Sequence, residues 1–236
     1  MRRISTTRRS LTVPACVLAI SVCSLALAGQ VTPDKIADKM MRMMKEDWTC
    51  RNLQVKVVPF ENDSLTQAGR FQAIVMTADA ISRKGITVAP VYVKAFDVTV
   101  DLYSLYYKNK LRTPSRKNAV IDAKISESDL NELLAMKDMP IKNPSVDLGD
   151  GKLTFTGQYQ ALFGHKLIME AKIQVADHRK VNLIPTRVTV NGVPLPAGPV
   201  RSLLSKLNPL LDLNEVPLSP TLDSLTVTPT HLLLKG

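Results

Sequence analysis

ISESDLNELLAMKDMPIKNPSVDLGDGKLTFTGQYQALFG, residues 125–164, decides the fold class. It opens on a helix start. Ser126-Glu127-Ser128-Asp129 fits the capping pattern in which the first side chain accepts from first-turn backbone N–H groups. Leu130, Leu133 and Leu134 follow at helical spacing. Residues 137–151 read as a loop. Residues 152–164 read as a strand, with Leu153, Phe155, Gly157 and Tyr159 on one face and Lys152, Thr154, Thr156, Gln158 and Gln160 on the other. The stretch is a helix beside a one-sided sheet. It carries no catalytic chemistry, so function turns on what the apolar face covers.

Downstream, the same pattern repeats. Leu167, Met169, Ala171, Ile173 and Val175 alternate with Glu170, Lys172 and Gln174. Residues 181–190 form a third strand whose phase slips at Leu183-Ile184-Pro185, the mark of a bulge. Short turns join the three, so an antiparallel meander is expected. Val200, Leu203, Leu204 and Leu207 then give a helical stripe opposite Arg201, Ser202, Ser205 and Lys206. Pro209 ends or kinks that helix and leaves Leu210 and Leu211 on an apolar continuation. Residues 224–234 read as a final strand.

Upstream, Thr32-Pro33-Asp34 opens a helix with Thr32 as cap and Pro33 in the first turn. Its stripe is Ile36, Met40, Met43 and Met44: a core-facing helix or, given methionine's flexibility, an adaptable lid. Strands are expected over 52–60 and 69–80, with Phe71, Ala73, Val75 and Thr77 on one face of the second. Arg83-Lys84-Gly85 makes a basic turn into a long alternating stretch over 86–107, with Pro90 at an edge or bulge. Lys108, Lys110, Arg112, Arg116 and Lys117 then crowd a polar connector. No composition break divides these elements into independent domains.

Residues 1–28 read as a secretory signal peptide: Arg2, Arg3, Arg8 and Arg9, then the apolar run 13–28 ending in Ala26-Leu27-Ala28. The alternative is a membrane anchor, but a spanning helix needs about 20 apolar residues, and this run is shorter and holds Pro14. Residues 29–236 are then the mature domain, with 27 basic and 21 acidic residues, a net charge of +6 in place of +10. Cys16 and Cys23 leave with the leader, so Cys50 has no internal disulfide partner and the fold stands on its core. A mildly basic protein outside the cytoplasm meets anionic lipid headgroups more readily than nucleic acid.

His165, His178 and His231 are isolated, and neither a His-x-x-His nor a Cys-x-x-Cys pair occurs, which argues against structural zinc. There is no G-x-S-x-G elbow and no glycine-rich phosphate loop. Asp97 and Asp101 read as a solvated face before a calcium pair, and Asp147, Asp150 and Gly151 as a turn. No cofactor is expected.

The order of features resembles the LmeA-like phospholipid-binding family. The resemblance spans roughly residues 55–236. It is carried by the Asp129-Leu130-Asn131 helix start, the Asp150-Gly151 turn into an alternating strand, the leucine helix and the closing strand ending in Gly236. It implies an α+β fold: a curled, mainly antiparallel β-sheet wrapped around or packed on a few amphipathic helices, similar to tubular lipid-binding folds. It further implies an exported protein, periplasmic, extracytoplasmic or secreted, that binds phospholipid without catalysis in cell-envelope maintenance. No ligand motif carries over, so the candidate cavity lining comes from the periodicity above: Leu153, Phe155, Tyr159, Met169, Ile173 and Val175 on strands, and Leu203, Leu204, Leu207, Leu210 and Leu211 on the helix and its continuation. Arg201 and Lys206 are the candidate headgroup contacts. The expected partners are phospholipid, anionic lipid included, and a membrane surface; the sequence points to no nucleic acid and names no protein partner. The competing readings are an envelope scaffold with a filled core, and a lipid or glycan hydrolase.

Overall fold

The capping signals act as read. In the computed structural model, which describes residues 31–83, 86–160 and 165–236, α1 (Pro33–Asp47) starts at Thr32, whose side chain accepts from Lys35 N–H at 3.4 Å. Its buried stripe is Ile36, Ala37, Met40 and Met44, laid against β2 (Gln54–Pro59). This is the core-facing reading of the methionine helix. Between them lies β1 (Thr49–Arg51). The expected signal peptide, residues 84–85 of the basic turn and residues 161–164 lie outside the described residues.

After a short helix, α2 (Asp63–Gln67), the chain makes one long hairpin bent across two sheets. Its arms are β3 (Arg70–Ala78) with β4 (Ala80–Arg83), and β5 (Ile86–Val88) with β6 (Val91–Thr99). The register is continuous, from Arg70 opposite Thr99 to Arg83 opposite Ile86. The bend falls at Asp79 and Pro90, so Pro90 marks a corner, not a sheet edge. Beyond it β4 pairs with β1 and β5 in a three-stranded sheet. The buried face of β3 also changes along its length. Phe71 and Ala73 are buried near its start, but Ile74, Met76 and Ala78 on the opposite face are buried beyond, where Val75 and Thr77 were expected.

Residues 102–107 are not strand. Asp101 accepts from Ser104 N–H at 2.9 Å and caps α3 (Leu102–Tyr107). A short capped turn follows a polar cap rather than the alternation. A connector leads to β7 (Asn118–Ser126), which passes directly into α4 (Glu127–Met136) through the capping box of Ser126 and Asp129.

The expected meander is present, with one more strand. Within the stretch read as a loop lies β8 (Ile141–Leu148), followed by β9 (Leu153–Tyr159), β10 (His165–Ala176) and β11 (Lys180–Val190). All pair antiparallel in sequence order. The bulge of β11 falls at Thr186, one residue past the phase slip, because Ala171 faces Pro185 while Glu170 faces Arg187. Then come β12 (Val193–Pro194), α5 (Ala197–Leu207) and β13 (Leu211–Asp212), which also pairs with β11. The final stretch is a hairpin rather than one strand: β14 (Ser224–Val227) and β15 (His231–Lys235). β15 lies beside β7, giving a six-stranded sheet in the order β14-β15-β7-β6-β3-β2. Val31–Gly236 forms one compact unit, α+β and mainly antiparallel, with the sheet strongly curled as a half-barrel.

Candidate functional site

The curl leaves an interior that the helices do not wholly fill. A cavity of about 340 Å³ lies where four parts of the chain meet. One wall is the sheet: Val91 on β6, Ile121 and Ile125 on β7, and Leu234 on β15. A second is the bent tip of the hairpin, where Ile81 and Val88 face each other across β4 and β5. Leu133 of α4 and Lys137, its C-cap, close a third side. The segment after α5, from Asn208 through Leu213 with Glu215 and Val216, closes the fourth. Trp48, between α1 and β1, completes the rim.

The polar groups around this cavity already have structural work. Lys137 Nζ donates to Leu207 O at 2.6 Å and to Pro209 O at 3.0 Å, tying α4 to the end of α5. A cation there also meets the negative end of the α5 dipole. Burial holds its pKa below the ordinary lysine value. Asn208 accepts from Leu183 N–H at 2.8 Å and donates to Leu183 O at 3.0 Å, so its amide continues the β11 ladder. The Arg83 guanidinium lies 5.2 Å from the Trp48 ring centroid, a cation–π contact at the rim. Asp212 and Glu215 contribute the acidic lining.

Two of the expected lining residues, Leu210 and Leu211, are walls of this cavity and are buried. Leu153, Phe155, Tyr159 and Met169 are also buried, with Phe155 opposite Met169 across β9 and β10, but they pack elsewhere in the interior. Leu203 and Leu207 are buried on α5, and Leu204 is half-buried. Ile173 and Val175, opposite Leu183 and Val181, are half-buried away from the cavity. Arg201 and Lys206 are exposed on α5 and do not line it. Periodicity missed Trp48, Ile81, Val88, Ile121, Ile125 and Leu234. For Ile81, Val88, Ile121 and Ile125 the signal was the two apolar arms of the hairpin and the apolar side of β7, which the sequence leaves without an assigned partner.

The remaining candidates have simple roles. Asp97 pairs with Arg70 at 3.2 Å on the surface, a contact worth little. Asp101 is the α3 cap, and its hydrogen bonds to Ser104 hold its carboxyl below the usual range. Cys50 is half-buried, and burial raises its thiol pKa. His165 and His231 hydrogen-bond Asn191 and Thr230. Among the described residues no cluster of His, Cys, Asp and Glu is arranged to hold a metal, and no helix is long and apolar enough to cross a membrane.

A partly open space whose walls are mainly apolar, with Lys137, Asn208, Asp212 and Glu215 also in its lining, suits a hydrocarbon chain bearing a polar end. No curated protein and no solved structure matches the chain. A family model described as LmeA-like phospholipid-binding matches residues 58–236. Through that match, which covers most of its length, the chain belongs to the LmeA-like phospholipid-binding family.

Proposed function

We propose that the protein is a non-enzymatic phospholipid binder that takes up one acyl chain at a time and works outside the cytoplasm in handling envelope lipids. The cavity carries this reading. A methylene needs roughly the volume of one liquid water, about 30 Å³, so 340 Å³ holds on the order of ten methylenes. That is a large part of one chain and too little for two. The second chain and the headgroup stay outside, next to Arg83 and Trp48 at the rim. At ~0.8 kcal/mol per buried methylene the gross gain is about 8 kcal/mol, before the losses on association. Such a balance favours exchange over permanent retention.

Export follows from the leader-like residues 1–28. A preference for anionic lipid follows from the basic balance of the mature chain. Contact with a membrane surface follows from a site that admits only part of its ligand. The void also favours a binder over a scaffold with a filled core. The deciding experiment is organic extraction of the purified full chain followed by mass spectrometry. Phospholipid is expected in the extract and is expected to vanish when the cavity is filled by Leu133→Trp. Lipid-free protein that also ignores added phospholipid would end the proposal.

A further inference from the structure

α3 buries Ser104 and Leu105 and turns Tyr103 and Tyr107 outward, 51% and 53% exposed. One exposed aromatic residue needs no explanation. Here two are stacked at i and i+4, with ring centroids 5.3 Å apart, and Lys108 Nζ lies 5.1 Å from the Tyr103 centroid. From residue 102 to 121 the chain holds five Lys or Arg and no Asp or Glu. Arg116 turns inward to Ser219 O, which leaves Lys108, Lys110, Arg112 and Lys117 exposed. The acid next to this run, Asp101, is bound to Ser104 as the helix cap.

The segment is held in place. Lys110 N–H donates to Ser104 O at 3.0 Å, Asp101 N–H to Arg112 O at 2.9 Å and Lys117 N–H to Phe96 O at 3.0 Å. Lys39 of α1 donates to Asn109. The backbone that carries the cations and tyrosines is thus tied to the body of the fold. Lys110 and Arg112 also line a shallow groove that shares Trp48, Glu215 and Val216 with the apolar cavity.

We infer that the α3 tyrosines and the basic segment after them dock the protein on an anionic phospholipid bilayer, next to the cavity rim. The inference rests on the function proposed above and gives that site its loading surface. Tyrosine has an apolar ring and a wet hydroxyl, which suits the headgroup layer. Lysine and arginine beside it meet the negative lipid surface. A cavity with room for one chain draws that chain from a lipid whose remainder stays in the bilayer, so the rim has to lie at the membrane.

The test is flotation of the full chain with vesicles of phosphatidylcholine, alone or mixed with phosphatidylglycerol, over a range of salt. Each exposed cation near an anionic surface strengthens partition by about fivefold. The triple variant Lys108→Gln, Lys110→Gln, Arg112→Gln is therefore expected to bind the mixed vesicles on the order of a hundredfold more weakly. Tyr103→Ser with Tyr107→Ser is expected to weaken binding at high salt as well. Both variants are expected to keep the wild-type melting curve and to take up phospholipid offered in detergent micelles, where no bilayer docking is needed, as the wild type does. Leu133→Trp is expected to lose that uptake yet float normally, which separates failure of the cavity from failure of the docking surface. Wild-type protein that ignores anionic vesicles, as expected of a surface made for an acidic protein, or a triple variant that floats like wild type, would overturn the inference.

Discussion

Asn131 pairs with Val146 as a neighbouring strand would. Its Oδ1 accepts from Val146 N–H at 2.7 Å and its Nδ2 donates to Val146 O at 3.0 Å. Two residues along β8, Leu148 N–H donates to Glu127 Oε2 at 2.8 Å. β8 is the last strand on that side of its sheet, and an open edge invites pairing with other chains. α4 therefore closes the edge with side chains where no strand follows.

Asn131→Ala leaves both backbone groups of Val146 without a partner. The expected loss is about 1–3 kcal/mol. In a domain of this size that lowers the melting temperature by about 2–4 °C per kcal/mol. Self-association should also rise with concentration as the edge opens. Thermal melts and light scattering read the two effects, and an unchanged melt would show that α4 does not secure the edge.

Gly157 faces the break in β8 register between Lys142 and Ser145, where Asn143 and Pro144 together stand opposite it and one residue is extra. A Cβ there would overlap Ile141 Cγ2 and come within 3.2 Å of Lys142 O. Gly157→Ala is expected to cost about 1–3 kcal/mol. Gly198 in α5 has open space around it, so Gly198→Ala is expected to be neutral or to stabilise by up to about 1 kcal/mol. Opposite signs in urea unfolding support this geometry; two destabilising changes of equal size contradict it.

Trp48 is the single tryptophan of the chain and lines the cavity. Entry of an acyl chain should shift its emission to shorter wavelength. Ile121→Ala enlarges the cavity at a cost of about 2–5 kcal/mol and is expected to retain that shift. Phe155→Ala, away from the cavity, costs about 3–5 kcal/mol while leaving lipid bound per folded molecule as in wild type. Loss of uptake in Phe155→Ala, measured on folded protein alone, would move the site under β9 and β10.

Lys137 titrates with a defined sign. Its folded-state pKa lies below the ordinary value because burial disfavours the ammonium. The unfolded chain holds that proton more tightly, so stability rises with pH between the folded and unfolded values. The penalty is full below the folded value and is relieved as pH climbs toward the ordinary lysine range. The stability of Lys137→Met relative to wild type should therefore fall as pH rises through that alkaline window. Urea midpoints across pH measure it, and a flat difference would mean that the ammonium is not desolvated.

Much of the fold was legible because it is local. The Ser126–Asp129 box, the Thr32-Pro33 start and the alternation of β9, β10 and β11 depend on neighbours in sequence, and the structure keeps them. β8 was hidden because Asn143 and Pro144 break its period, and the last hairpin because β14 and β15 share one apolar character. Residues 102–107 followed their aspartate cap into a helix against the reading of alternation.

The site divides in the same way. Sequence alone determined which faces are apolar, that the leucines after α5 continue inward, and that a basic segment follows residue 107. Tertiary structure decided which of those faces stay partly uncovered. Phe155 and Met169 found partners and became core, whereas Ile81, Ile121, Leu133 and Leu211, from four distant segments, surround a void. Periodicity fixes the direction in which a side chain points. A cavity is the volume left after all the layers have packed, and no single segment encodes it.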